Sequence, residues 1–326
     1  MPNIDTLTRT YLSDSERFAE LFNTFVFKGR HVADKNKLKA ETPLEEVHFR
    51  KSRRSVKKER DLLKTLQIMS DGEKNYLLLG IENQLGIHYA MPVRTMIYDA
   101  VEYGRQIQKR TAKHKAGSFR NADEFLSGFG KNEKLVPVFT LVVYWGEEKW
   151  DGPLSLGEMF SKSLMSRYGE YIQDYRLNLL DLNDIPDEIM DTLQTDLKKV
   201  LYFRKYSKNP ARLRELLSAE NSMYKSVAKD AAALLKELTG ADIEIPPEGG
   251  NVNMCEAIDY FVKERSDIVR KETEARVRKE TEAADIRNTF EMFSRFAPSV
   301  SHDEIIQMIA DQFKMDAGEV RKIVLS

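Results

Sequence analysis

The stretch that most constrains this chain is DLLKTLQIMSDGEKNYLLLGIENQ, residues 61–84. Residues 61–69 alternate enough to form a strand, and Asp71-Gly72 is a pair favoured in tight hairpin turns. From Asn75 the chain becomes a dense apolar run fit for burial inside a sheet. The two segments predict an antiparallel hairpin. Residues two apart in a strand share a face, so Glu82 and Gln84 project together while Leu79 and Ile81 pack behind. Asp61 and Glu82, 82 − 61 = 21 positions apart, fall near the end of the hairpin opposite the turn. Two carboxylates converging there make an oxygen-rich site for Mg²⁺, which typically takes one or two carboxylates and keeps several waters. Such an ion on a phosphate oxygen polarises the phosphorus and lowers the pKa of an attacking water.

The elements around the hairpin complete an α/β unit. Phe18, Leu21, Phe22 and Phe25 recur at helical spacing in SDSERFAELFNTFVF (13–27), with Ser13 and Glu16 as a capping box. A polar connection follows. Pro92 suits a helix start, and a long helix is expected from there to His114. LVPVFTLVVYW (135–145) reads as a central strand and YRLNLLDL (175–182) as another. Beyond Ile185 the pattern is helical throughout, with Gly240 closing one helix. A charged helix from Met254 to about Phe293 contains the near-repeat RKETEARVRKETEA, and two short helices close the chain. The organisation expected is a mixed-sheet domain at 1–185, a helical extension at 186–248 and a charged helical region at 249–326.

Composition narrows the functional classes. Hydrophobic residues at 41% and charged residues at 32% describe a folded chain. No apolar stretch approaches the ~20 residues of a membrane span, and the N-terminal residues hold no apolar signal core, so a cytoplasmic location is the default. One cysteine, Cys255, allows neither an intramolecular disulfide nor a Cys/His zinc cluster. A net charge of −1 argues against a generic nucleic-acid binder, but RKSRRSVKKER (50–60) holds seven basic residues against one acidic. RQIQKRTAKHK (105–115) holds five, plus His114, and no acid. These runs bracket the hairpin. They nominate Arg53, Arg54, Lys57, Lys58, Arg60, Arg105, Lys109 and Arg110 as DNA contacts.

The segments RDLL (60–63), YLLLGIENQ (76–84) and HYAMPVRTMIYDA (88–100) resemble the recombination-promoting nuclease and transposase-like families of the PD-(D/E)XK phosphodiesterase superfamily. The ERFAELFNTFVF helix, the LVPVFTLVVYWGEEKWDGPLSLGEMF segment and NMCEAI are similar too, so the likeness spans most of residues 13–265. The resemblance implies a restriction-endonuclease-like mixed sheet flanked by helices, with an all-α region after it. It also implies a Mg²⁺-dependent DNA endonuclease in which Mn²⁺ substitutes. Asp61 and Glu82 become the metal ligands. Gln84 stands where most of the superfamily has lysine, though glutamine is common in this subgroup. A neutral amide can orient water or phosphate by hydrogen bonds but brings no charge. An acidic residue on the first helix often sits beside the site in such families, and Glu16 or Glu20 could serve.

Other readings stay open beside this one. Arg94 and Tyr98, four apart on a helix, either meet phosphate or brace the sheet edge. His88 is a phosphate ligand, a general base or an incidental loop residue. The C-terminal charged helix is a solvated helix or a homo-oligomer contact. The alternative function is a nuclease-fold module that binds nucleic acid or protein and cuts weakly or not at all. A strand-transferring transposase would need further elements, and no motif here supplies them.

Overall fold

In the computed structural model, which describes residues 4–41, 44–48, 55–70, 72–114, 119–218, 222–240, 244–245 and 250–325, the chain opens with two helices. These are α1 (Ile4–Leu12) and α2 (Ser15–Leu21), the second continuing into a wider π-helical turn at Phe22–Val26. The helix expected at 13–27 is therefore shorter and changes pitch. Its cap also differs. Asp14 accepts the Glu16 and Arg17 N–H groups at 3.0 Å, while Ser13 Oγ turns back to donate to Thr10 O. A carboxylate at this position serves both free N–H groups and the helix dipole, so it displaces the serine.

The segment expected as a polar connection carries three short strands, β1 (Leu38–Ala40), β2 (Leu44–His48) and β3 (Ser55–Glu59). Strands β2 and β3 pair antiparallel as a sheet of their own. The central hairpin follows as β4 (Leu62–Ser70) and β5 (Glu73–Gln84), in register from Leu62 opposite Ile81 to Ser70 opposite Glu73. Gly72 turns the corner with φ +77°, a conformation that glycine adopts without steric cost; Asp71 lies outside the described residues. Helix α3 (Met91–Lys113), with Pro92 in its first turn, and the short α4 (Ala122–Ser127) lead to β6 (Val138–Tyr144). Helix α5 (Lys162–Tyr168) precedes the last strand, β7 (Asn178–Asp181).

The main sheet has the order β1-β4-β5-β6-β7. Strands β1, β4 and β5 run antiparallel in turn, whereas β6 and β7 lie parallel to β5. A parallel neighbour needs a crossover, and α3 provides it. The middle place belongs to β5, whose residues Leu78–Asn83 are all buried; β6 is interior beside it. Helices α6 (Asp187–Asp191), α7 (Leu197–Tyr206), α8 (Pro210–Ser218) and α9 (Lys229–Thr239) follow. Gly240 closes α9 in the left-handed region, as expected.

The chain divides into the units Met1–Phe261 and Val262–Ser326. Helix α10 (Cys255–Phe296) begins in the first. In the second, its later turns join α11 (His302–Phe313) and α12 (Ala317–Leu325) around Ile286, Ile305, Ile306, Ile309 and Val320. The repeat segment of α10 is exposed, with ion pairs such as Arg276 with Glu280 along its surface. No helix of the described residues is long and apolar enough to cross a membrane.

Arg60 corrects the first basic run. It has no exposed surface, so it contacts no DNA. Its Nη1 donates to Thr140 Oγ1 at 2.5 Å and its Nη2 to Asp99 Oδ1 at 2.8 Å. Thr140 Oγ1 also donates to Asp99 Oδ1 at 2.8 Å, and Tyr175 donates its hydroxyl to Asp99 Oδ2. The guanidinium fits because β5 has glycine beneath it: a Cβ on Gly80 would come within 2.8 Å of Arg60 Nη1. This knot joins the entry to β4 with α3, β6 and the approach to β7. Removing one partner of a buried ion pair strands the other charge, at roughly 3–5 kcal/mol. Arg60→Ala is therefore expected to lower unfolding free energy by about that amount in urea titrations, and a loss below ~1 kcal/mol would contradict the assignment.

Candidate functional site

The hairpin register brings the two carboxylates together. Leu62 faces Ile81, so the next residues outward set Asp61 against Glu82. The Asn83 N–H donates to Asp61 Oδ2 at 2.6 Å and fixes that side chain across the end of β5. Glu82 lies on the face of β5 that also carries Gly80, and its side chain is 1% exposed. From the first turns of α3, Arg94 brings Nη2 to 3.3 Å from Glu82 Oε2. Arg94 Nε donates to the Tyr98 hydroxyl at 2.9 Å, one helical turn further on. The other oxygen, Glu82 Oε1, is buried with no hydrogen-bond partner among the described residues.

Burial dominates the electrostatics. The Glu82 carboxyl is pushed up to about 8, first by desolvation and then by the charge of Asp61; Arg94 and Arg60 pull the other way. Asp61 is also raised by desolvation, a shift that the Asn83 N–H opposes. Asp5 and Arg9 act on Asp61 as well, in opposite senses. These two residues of α1 were missed by the sequence reading. Their signal was present: Ile4, Leu7 and Tyr11 have helical spacing, and Asp5 and Arg9 four apart share a face.

Gln84 projects from the same strand end, but its Nε2 donates to Asn83 O at 2.8 Å. Asn83 faces the other way and accepts Trp145 Nε1 at 2.9 Å. Neither acid proposed for the first helix serves the pair. Glu16 is bound to Lys35 at 2.7 Å on the surface, and Glu20 accepts the backbone N–H groups of Gln194 and Thr195. His88 accepts the Met91 N–H through its carbonyl at the start of α3; its ring Nδ1 is buried without a partner among the described residues.

The basic candidates separate. Arg53 and Arg54 lie outside the described residues, as do the side chains of Lys57 and Lys58 in β3. Arg105 is paired with Glu102 at 2.6 Å. Lys109 and Arg110 line a surface cavity of 430 Å³ with Lys113, His114 and Glu133. At 1.5 Å per residue, Arg110 is roughly 24 Å along α3 from Arg94. A cavity of 860 Å³ opens between Phe25, Leu154, Leu179 and Ile185, and neither Asp61 nor Glu82 lines it.

Fold and site together define a mixed α/β protein with paired acids at the open end of its central hairpin. A family model described as "Putative transposase, YhgA-like" matches residues 5–232, and the chain belongs to that family. The match includes Asp5, Asp61, Glu82 and Arg94. No curated protein and no solved structure matches.

A carboxyl held at about 8 in the folded chain but near 4.5 when unfolded keeps a proton that the unfolded chain has released. Between those values the folded state binds more protons, so stability falls as pH rises, and it levels above about 8. In chelator-treated protein, Glu82→Gln is expected to flatten this decline. The variant should gain on the parent by a few kcal/mol, to order of magnitude, between pH 5 and 8 in urea unfolding. Parallel pH curves for parent and variant would contradict the buried-acid reading.

Proposed function

We propose that this protein is a metal-dependent DNA endonuclease of the PD-(D/E)XK type, with Asp61 and Glu82 as its metal ligands. The observation that carries the reading is the facing carboxylate pair with Glu82 Oε1 buried and unpartnered. An all-oxygen donor set of two carboxylates suits Mg²⁺ or Mn²⁺, with water filling the other positions. In this reading the protein's share of the ligands is those two carboxylates. The bound ion supplies Lewis acidity at the phosphorus and a more acidic water.

The chain's own groups do the remaining work. Asp61 is fixed by the Asn83 N–H and Glu82 is faced by Arg94, at the same end of the hairpin. Gln84 gives one of its two Nε2 protons to Asn83 O, and its amide oxygen is left to accept from an attacking water. In hydrolysis the water oxygen forms a bond to phosphorus, the ester P–O bond breaks, and the leaving oxygen takes up a proton. The antiparallel β4–β5 hairpin, followed by the α3 crossover to parallel β6, supports a restriction-endonuclease-like core. Lys109 and Arg110, with Lys57 and Lys58, are the cations proposed to hold the duplex.

Plasmid cleavage in Mg²⁺ or Mn²⁺ tests the assignment. Asp61→Ala and Glu82→Ala should each reduce the rate by about 10²-fold or more, and calorimetry should show loss of divalent-ion uptake in Glu82→Ala. If both variants cut as fast as the parent, the site is wrong. Retained DNA binding with no cleavage in any metal would favour a binding module on this scaffold.

A further inference from the structure

We infer that Arg94 is the phosphate-binding cation of this site, the group that meets the charge developing on the scissile phosphodiester. The inference rests on the nuclease reading above. Phosphodiester hydrolysis places additional negative charge on phosphate oxygens beside two carboxylates, and donors fixed in advance are what stabilise it. Gln84 cannot supply positive charge, and its amide N–H already serves Asn83 O. Arg60 is positive but wholly buried in its knot with Thr140 and Asp99.

Arg94 meets the requirements of position and access. Its Nη2 is 3.3 Å from Glu82 Oε2, so it lies against the oxygen next to the unpartnered one. Its side chain is 35% exposed, whereas that of Glu82 is 1% exposed, so Arg94 spans from the buried acid to solvent. Tyr98, 3% exposed, holds Nε at 2.9 Å and fixes the plane of the guanidinium. With Nε and one Nη2 proton committed, the Nη1 end of the fork is left for a phosphate oxygen, the planar recognition that arginine favours. The contact to Glu82 steadies that carboxyl and places a permanent cation beside the group that would take the ion. Arg94 keeps all its protons throughout and acts only by charge and hydrogen bonding.

Three measurements on the full chain test this. First, Arg94→Gln should lower the Mg²⁺-dependent cleavage rate at saturating DNA by about 10²–10³-fold and raise KM by the smaller factor that one lost phosphate contact costs, and Arg94→Lys should retain more activity than Arg94→Gln. Second, duplex binding is measured by anisotropy with Ca²⁺ replacing Mg²⁺. The slope of log affinity against log salt should drop by about one in Arg94→Gln, the signature of one lost phosphate contact. Third, Mn²⁺ uptake by calorimetry should persist in Arg94→Lys. Cleavage by Arg94→Gln within threefold of the parent would overturn the role of Arg94 and leave Asp61 and Glu82 standing. An unchanged salt slope, with Mn²⁺ uptake and melting temperature falling together, would reduce Arg94 to a brace and overturn it as well. A parent protein that neither takes up Mn²⁺ nor cuts DNA overturns the nuclease reading itself, and this inference with it.

Discussion

A buried guanidinium holds this molecule's site in place. Arg60 enters from the residue before Asp61, passes over the bare backbone of Gly80, and ends on Thr140 and Asp99. Those contacts fix three elements at once: the start of β4, the middle of α3 and the interior strand β6. Asp61 and Arg94 are carried by two of them. An ion pair this deep is costly to desolvate, and a well-packed apolar replacement could be equally stable. Its worth lies in geometry, because a fork with several bonded partners admits one arrangement of strand, helix and strand.

The same fold pays for a second buried charge pattern at the site, where the terms do not balance. Glu82 is enclosed and Asp61 half-enclosed, and Arg94 and Arg60 offset only part of that burial. The consequence is a carboxyl pair in which Glu82 holds its proton up to about 8. The buried Glu82 carboxyl, with an Oε1 that has no hydrogen-bond partner among the described residues, is the feature on which the proposed divalent-ion site rests.

What could be read from the amino-acid order was what local rules determine. The β4–β5 hairpin, the start of α3 beside Pro92 and the placing of Asp61 and Glu82 near one end of the hairpin follow from alternation, turn chemistry and a count along two strands, while the register that sets the two acids opposite one another is seen only in the fold. The inward turn of Arg60 did not follow. It belongs by composition to a basic run, and only Gly80, Asp99 and Thr140, all distant in sequence, make room and partners for it. The same holds for Glu16 and Glu20, which are acids on the expected helix but are bound by Lys35 and by the 194–195 backbone. Asp5 and Arg9 are legible in principle, because Ile4, Leu7 and Tyr11 give α1 a helical periodicity that sets the two charges on one face.

Helix α3 shows why a charge run needs its context before it is given to DNA. It has no acid in its first turn and carries Arg110 and Lys113 in its last. Positive side chains at a helix C-terminus are favoured by the dipole without any ligand, and Arg110 also donates to the Lys134 carbonyl. Part of the second basic run is thus explained by the helix itself. At the other end, the opening turns of the helix bring Arg94 to the side of the paired acids. One helix therefore carries both sets of cations: it collects them where its carbonyls end, and it brings Arg94 to Glu82. The case for Arg94 comes from this difference: the dipole favours the cations at the far end, whereas a half-buried guanidinium in the opening turns stands against the dipole and is held there by Glu82 and Tyr98.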